Sequence, residues 1–433
     1  MLVQFSVGNF LSFKEVVTLS MVASSIREHR DTNVFEVHKD LRLLKSCVVY
    51  GANASGKSNL FKAMSFMRKF IRNSSKEGQF GEEIEGVESF RLSTETYDKP
   101  SHFEIVFFHE NVLYRYGFEV DYQEVKNEWL FYMPKSTEIE LFTRAGEEFK
   151  ISKGFKEGHG LEDRTRNNAL FLSVVANFKG KISTKILEWF GTFNIISGLE
   201  DNYFDYTRRK LKDEDFKKLF INLMHSANLG IDDIETDDED DVPKFVLEDV
   251  LKKFAPIANS PELAVRIRNL TLNTLHKKYD HDKNIVGYEK FQLFEHESEG
   301  TKKLFSLFGP IIDSLNNGKI LVVDELDAKL HPLLTRFIIQ LFHSNDHNPK
   351  NAQLIFNSHD TNLLSRLYFR RDQIWFTEKD DYGATDLYSL VDYNVRNDAS
   401  YEKDYLLGKY GSIPYIGHFH FYDEAKEDVH NGE

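Results

Sequence analysis

The chain reads as α/β: a mixed sheet with an antiparallel β subdomain and a mainly helical insertion between the two halves of that sheet. Three segments carry this expectation. Gly51-Ala-Asn-Ala-Ser-Gly-Lys57-Ser58 is a glycine-rich turn between an apolar run, Leu41 to Tyr50, and a helical pattern, Asn59 to Met67. Gly318 to Glu325 is a second apolar run, ending in the acids Asp324 and Glu325, and Ala352 to Ser358 is a third, followed by His359. Continuous apolar runs of this length fit strands buried on both faces of a sheet.

Taken in order, residues 1–20 alternate apolar and polar (Leu2 to Val7, then Val16 to Leu19), as paired antiparallel strands do. After the helix that starts near Ser58, residues 76–101 are rich in Gly, Ser, Glu and Lys and read as loop. Strand-like runs return at His102–Phe108, Tyr114–Val120 and Trp129–Met133. Residues 160–280 look mainly helical and polar, and their acidic stretch Asp232 to Asp241 is expected to be a solvated loop rather than a cation site. Beyond His359, Gln373–Thr377 and Ala384–Leu390 read as further strands of the sheet, with Asp380, Asp381 and Asp386 as turn residues. The expected regions are therefore 1–75, 76–160, 161–285 and 286–433. There is no internal repeat and no heptad pattern long enough for an extended coiled coil.

Composition narrows the class. The 433 residues, 41% hydrophobic and 14% aromatic, can supply two or three domains or one α/β core with a large insertion. No apolar run reaches the ~18–20 residues of a membrane span, and the N-terminus lacks a signal pattern, so a cytoplasmic protein without membrane association is expected. The one cysteine, Cys47, lies in an apolar run and is expected to be a buried, reduced thiol. A net charge of −14 argues against a generic electrostatic grip on nucleic acid. A local basic groove stays open, with Arg164, Arg166, Arg208 to Lys210 and Lys277–Lys278 as its candidates and Tyr203, Phe204 and Tyr206 as stacking neighbours.

The glycine-rich turn matches G-x-x-x-x-G-K-[ST] in full, after a strand and before a helix. Successive backbone N–H groups of Gly51, Ala52, Asn53, Ala54, Ser55, Gly56, Lys57, Ser58 and Asn59 would form a concave phosphate cradle at a helix N-terminus. Lys57 would reach the β- and γ-phosphates, and the Ser58 hydroxyl would ligate Mg²⁺. With its strand packed beside the turn, Asp324 would hold the same ion through water, while Glu325 would orient and deprotonate the attacking water. His359 falls where a γ-phosphate sensor is needed. ATP and Mg²⁺ are the expected ligands.

Together these residues resemble the ABC-type P-loop ATPase head shared by SMC proteins, RecF and the overcoming-lysogenization nucleases, over residues 1–75 and about 285–380. Phe5-Ser-Val-Gly-Asn9-Phe10-Leu-Ser-Phe13 looks like that group's first strand and Asn-Phe turn. The resemblance implies that Asp327 is the D-loop acid, His359 the switch histidine, and Glu297-Ser298-Glu299-Gly300-Thr301 the signature loop that reaches a partner's ATP. Ser298 and Gly300 fit that loop and would act in trans. Glu299 replaces its first glycine and puts an acid near a γ-phosphate. A homodimer or higher homo-oligomer is implied.

A narrower likeness rests on Glu297 to Thr301, Asp324-Glu-Leu-Asp-Ala328, His331-Pro332 and the tail Tyr405-Leu-Leu-Gly-Lys-Tyr-Gly-Ser-Ile-Pro414. These are similar to the AAA-family ATPases of bacterial abortive-infection and phage-defence operons, the RloA-like and PARIS-ATPase-like proteins. That likeness implies a separate operon-encoded effector, a nuclease or toxin. Residues 360–433 are expected to complete the sheet rather than add a nuclease domain of ~100 residues. Two other readings are a RecF- or SMC-like DNA-binding ATPase and the nucleotide-binding subunit of a transporter. The long separation of the glycine-rich turn from the signature segment and the missing Leu-Ser-Gly-Gly run oppose the second.

Overall fold

A computed structural model describes residues 1–135, 137–199, 203–236, 272–393, 395–396 and 399–414. Two large sheets dominate. The first is antiparallel throughout, in the order β10-β9-β8-β7-β6-β1-β2. Its strands are β1 (Leu2–Gly8), β2 (Val17–Ser20), β6 (Ser101–His109), β7 (Val112–Val120), β8 (Val125–Met133), β9 (Ile139–Ala145) and β10 (Glu148–Ile151). The second is mixed, in the order β11-β15-β16-β5-β17-β18. It comprises β5 (Ser46–Tyr50), β11 (Phe193–Ser197), β15 (Ile320–Asp324), β16 (Gln353–Asn357), β17 (Ile374–Lys379) and β18 (Thr385–Ser389). Its strands run parallel except the edge pair β17–β18.

Strand alternation explains the layers. Cys47 and Val49 of β5 face the core shared with the antiparallel sheet, and Val48 and Tyr50 face the opposite core. The helix Lys57–Asn73 lies in the first core and buries Leu60, Phe61, Met64, Met67 and Ile71. Its aromatic residues close on the antiparallel sheet, with Phe66 5.0 Å from Phe103 and Phe70 5.5 Å from Phe118 between ring centroids. Each such buried ring contributes roughly 1.5–3 kcal/mol. The helices Glu299–Asn317 and Pro332–His343 cover the other face. Gln353 ties the sheets together: its amide accepts from Leu2 N–H at 2.6 Å and donates to the carbonyls of Leu2 and Leu44 at 3.0 and 3.1 Å.

Several expectations change. The run Leu41–Tyr50 is two strands, because the chain leaves β4 (Leu41–Leu44) at Lys45 before entering β5. β4 pairs instead with β3 (Val34–His38) in a separate ribbon. Lys45 is buried at that break, its ammonium donating to Asn345 Oδ1 at 2.6 Å. The described residues of 161–285 form strands as well as the expected helices. They supply β11, which pairs in parallel with β15 inside the mixed sheet. They also supply most of an antiparallel sheet, β12 (Asp233–Thr236), β13 (Leu272–Tyr279) and β14 (Ile285–Gln292). Of the acidic stretch, Asp237 to Asp241 lie outside the described residues. The tail motif docks on the mixed sheet: Ser412 donates from its backbone N–H to Glu378 and from its hydroxyl to the Thr377 carbonyl, and the Tyr405 ring lies 6.0 Å from Tyr50.

Candidate phosphate-loop site

The site forms at the C-terminal ends of the parallel strands, where open α/β sheets bind ligands. A cavity of ≈ 750 Å³ is lined by Asn53, Ala54, Ser55, Gly56, Lys57, Ser58, Asn59, Glu325, His359 and Lys379. That volume lies within the ~300–1,000 Å³ of small-molecule sites. Gly56 has φ 111°, a left-handed value suited to glycine, and Ala54 holds φ 62°. At Gly51 a Cβ would run into Ser55 Oγ and the Thr377 backbone, so this position takes only glycine.

The loop is fastened from several directions. Ser55 and Thr377 share a side-chain hydrogen bond of 2.7 Å. Thr385 Oγ1 lies 2.9 Å from the Ser55 carbonyl and 2.8 Å from Ser12 Oγ. Asn59 donates to the same Ser12 oxygen at 2.8 Å. Ser12 follows the Asn9–Phe10 turn, whose Asn9 side chain accepts from Phe90 N–H and donates to the carbonyls of Thr96 and Lys99. Ser12, Thr377 and Thr385 were not readable in advance, because single hydroxyl residues carry no spacing signal.

Lys57 is buried, and its ammonium donates to the carbonyls of Gly51 (2.7 Å) and Ala52 (2.9 Å). Burial lowers its pKa, and the nearby carboxylates of Glu325, Asp324 and Asp327 pull it back up. Ser58 Oγ donates to Asp324 Oδ1 at 3.1 Å. β16 lies between β15 and β5, and Asp324 reaches Ser58 of the phosphate loop across it. Buried Asn357, at the end of β16, makes the crossing rigid by donating to Asp324 Oδ1 and accepting from the Glu325 N–H.

Glu325 sits just past the strand with φ 60°, a left-handed conformation that costs a non-glycine residue of order 1–2 kcal/mol. Its side chain makes no hydrogen bond or ion pair among the described residues, and it lines the cavity wall. His359 is exposed, and its backbone N–H donates to Asp327 Oδ2 at 3.2 Å. Asp327 Oδ1 is buried without a partner among the described residues. An ammonium, a run of backbone N–H groups and a hydroxyl–carboxylate pair facing one cavity suit a triphosphate with a hard divalent cation.

Ser298 and Gly300 lie outside that wall. The signature segment is less of a loop than expected: Ser298 is the N-cap of the helix Glu299–Asn317 and accepts from Thr301 N–H at 3.1 Å, so Gly300 is already in the first turn. Glu299 turns toward Lys302 (3.1 Å) and Lys329 (3.3 Å), which hold its carboxyl below the usual range. Glu297, before the cap, accepts from His276 and Thr274 of β13. Lys379 was missed as a wall residue, since nothing in Gln373–Thr377 marks where that strand ends.

Other candidates resolve structurally. Arg166 donates to the carbonyls of Ser74, Glu77 and Gly78. Lys277 pairs with Asp232 at 2.8 Å and Lys278 with Glu289 at 2.7 Å. Arg164 lies over the Phe178 ring and Lys210 over Tyr206. Asp380 shapes a turn by accepting from Tyr382 and Ala384 N–H. Cys47 is buried, and burial with the charge of Asp372 pushes its thiol pKa up. Among the described residues no group of three or more His, Cys, Asp or Glu side chains could hold a metal ion, and no helix is long and apolar enough to cross a membrane.

Among solved structures, the SMC head domain from Thermotoga maritima is similar at 12% identity and a TM-score of 0.40, covering 90% of this chain and 98% of that one. An SMC head bound to the C-terminal winged-helix domain of ScpA is similar at 14% identity and a TM-score of 0.39, covering 90% and 97%. No curated protein matches the chain. Residues 47–365 match the AAA_21 family of AAA domains, whose description provisionally ties it to AbiEii toxins of type IV toxin–antitoxin systems. That span runs from the strand before the phosphate loop past His359, so the chain belongs to the AAA_21 family of AAA domains.

Proposed function

We propose that this chain is an ABC-type ATPase that dimerises around ATP and hydrolyses it, and that the cycle holds and releases a separate effector in anti-phage defence. The observation that carries the ATPase reading is the meeting of Lys57, Ser58, Glu325 and His359 at one cavity, with Asp324 bonded to Ser58. Lys57 exchanges the loop carbonyls for β- and γ-phosphate oxygens. Ser58 and Asp324 are the residues that would hold Mg²⁺, which would neutralise charge on the phosphate oxygens. Glu325, with no competing partner, takes the proton of the attacking water, and His359 contacts the γ-phosphate.

The homodimer reading is supported by exposed Ser298 and half-buried Gly300, which lie outside their own pocket. With Glu299 paired to two lysines of its own chain, less negative charge faces an incoming triphosphate. Hydrolysis-deficient Glu325→Gln should sediment as a dimer with ATP and as a monomer without it. A monomer under both conditions at micromolar concentration removes the trans role.

The effector reading draws on the toxin–antitoxin description of the family. In it, the nuclease or toxin chemistry belongs to a partner in the cytoplasm, and the chain acts as a switch. A nucleotide can move that equilibrium only through different partner affinities in its states. The measurement is binding of the neighbouring gene product with ATP, with ADP and with Glu325→Gln. Equal affinity in all three leaves a passive scaffold, and Mg²⁺-dependent cleavage of nucleic acid by the purified chain reassigns the chemistry to it. The internal engagement of Arg166, Lys277 and Lys278 leaves the DNA-binding alternative with less support.

A further inference from the structure

We propose that the β17–β18 hairpin, through Lys379 and Tyr382, forms the nucleoside-binding wall of the phosphate-loop cavity and receives the ribose and base of the nucleotide. The inference rests on the ATPase reading above and adds to it a recognition site for the other end of the ligand.

Polarity is the first argument. Glu325, His359 and the Ser58–Asp324 pair all belong to the β15–β16 side of β5, so the γ-phosphate is drawn to that side. A nucleotide stretched along the loop then carries its nucleoside toward the opposite neighbour of β5, which is β17. Lys379 is the last residue of β17 and lines the same cavity. It is exposed and makes no ion pair among the described residues, so its ammonium is available to the α-phosphate and ribose.

Rigidity is the second. Thr377 and Thr385, on the two strands of the hairpin, both lie within hydrogen-bond distance of Ser55 in the phosphate loop. The hairpin therefore keeps a fixed position relative to the phosphates. Its turn is equally defined: Asp380 N–H donates to the Ala384 carbonyl at 2.9 Å, and Gly383 adopts φ 81°. Tyr382 is three positions beyond Lys379, so their Cα atoms lie within about 10 Å of one another.

The surface chemistry is the third. Tyr382 is 81% exposed and Leu92 69% exposed, large apolar side chains left in water at the same place. A Cβ built on Gly383 would meet Leu92 Cδ1 at 2.5 Å, so Leu92 lies directly against the turn. A cation in the cavity wall, followed on the adjoining turn by an exposed aromatic ring with an aliphatic neighbour, matches the charged stem and planar face of a nucleoside phosphate.

The test compares ATP, ADP and inorganic triphosphate, each with Mg²⁺, by titration calorimetry. Tyr382→Ala and Lys379→Met should each weaken ATP and ADP binding by at least about fivefold, the lower end of base–aromatic stacking. Tyr382→Ala should leave triphosphate binding unchanged, Lys379→Met should weaken it as well because the ammonium faces the α-phosphate position, and Tyr382→Phe should restore wild-type affinity. Both residues are exposed, so neither change threatens the core. Variants that bind ATP within about twofold of wild type, or wild-type protein that binds ATP no tighter than triphosphate, overturn the hairpin site and leave the phosphate loop intact. Loss of triphosphate binding in Tyr382→Ala also overturns it, since the hairpin would then act only through the loop. Wild-type protein that binds neither ligand removes the ATPase reading itself and the inference with it.

Discussion

The two ends of the six-stranded sheet are built to opposite specifications. At the C-terminal ends of its strands, Ala54 and Glu325 hold left-handed backbones, Lys57 is a buried ammonium, and the carboxylates of Asp327 and Asp360 each keep a buried oxygen without a partner. At the N-terminal ends, buried polar groups meet one another. Ser46 Oγ lies 2.6 Å from His343 Nε2, Gln373 donates to Ser46, Asn33 donates to Gln373, and Gln353 clasps β1. Strain and unmet hydrogen-bonding capacity cost free energy, and they persist where the surrounding structure has a use for them. At one end most of these polar groups are met by the fold itself; at the other they gather around the cavity.

The widest separation between the ends should come from Glu325→Gln. Losing a general base slows turnover by roughly 10²–10⁴-fold. The side chain has no structural partner among the described residues, so the melting temperature and ATP affinity should stay near wild type. Wild-type turnover would remove Glu325 from the catalytic role. Lys57→Ala comes next. A hydrogen bond to a charged group contributes about 1.5–3 kcal/mol, which predicts ATP affinity lowered by roughly 10- to 150-fold. Its folded-state partners are only loop carbonyls, so direct binding titration should move while unfolding moves little.

The active end was the more legible one in the sequence. Gly51, Gly56, Lys57 and Ser58 sit at a spacing fixed by phosphate geometry, and Asp324 and Glu325 end an unmistakable apolar strand. The phosphate-binding role proposed for those residues would impose such a pattern. The opposite end answers only to its neighbours. Gln353, Gln373 and Asn33 are more than 300 residues apart along the chain in two of their bonds, and no local rule joins them. For the same reason β11 was hidden inside a helical-looking region: Phe193–Ser197 is a strand because β15 offers it an edge, not because its own pattern demands one. Lys379 and Tyr382 escaped notice because a hairpin turn looks alike whether or not it faces a ligand.

Asn357 and Gln353 make a matched pair for sharpening the contrast, since they stand at opposite ends of one strand, β16. Both are buried amides with several partners. Asn357→Ala and Gln353→Ala should each destabilise by about 1–3 kcal/mol or more, because buried groups are left unsatisfied. Only Asn357→Ala should also slow hydrolysis, since it frees Asp324 and the Glu325 backbone. Chemical unfolding and steady-state turnover on both variants decide the point. A catalytic defect in Gln353→Ala equal to that of Asn357→Ala would mean the ends are not independent.

The smallest effect is a pH dependence confined to the ligand-free end. Burial lowers the pKa of His343 from 6.5 to about 3, with Lys45 and His29 adding repulsion. Above pH 6.5 the ring is neutral in both folded and unfolded chains and contributes no slope. Between 6.5 and about 3 the unfolded chain binds a proton that the folded chain refuses, so this residue makes stability fall as pH falls. The slope is one proton, ~1.4 kcal/mol per pH unit. His343→Gln keeps a hydrogen-bonding group toward Ser46 and removes the titration. The stability difference between wild type and variant should therefore shift by about 1.4 kcal/mol, in the variant's favour, from pH 7.5 to pH 5.5. Urea unfolding at the two pH values reads it. ATP affinity of the folded protein should not follow that shift, because His343 lies at the far ends of the strands from Lys57 and Glu325. Nucleotide binding that tracked the His343 proton would join the two ends energetically and replace the division drawn between them.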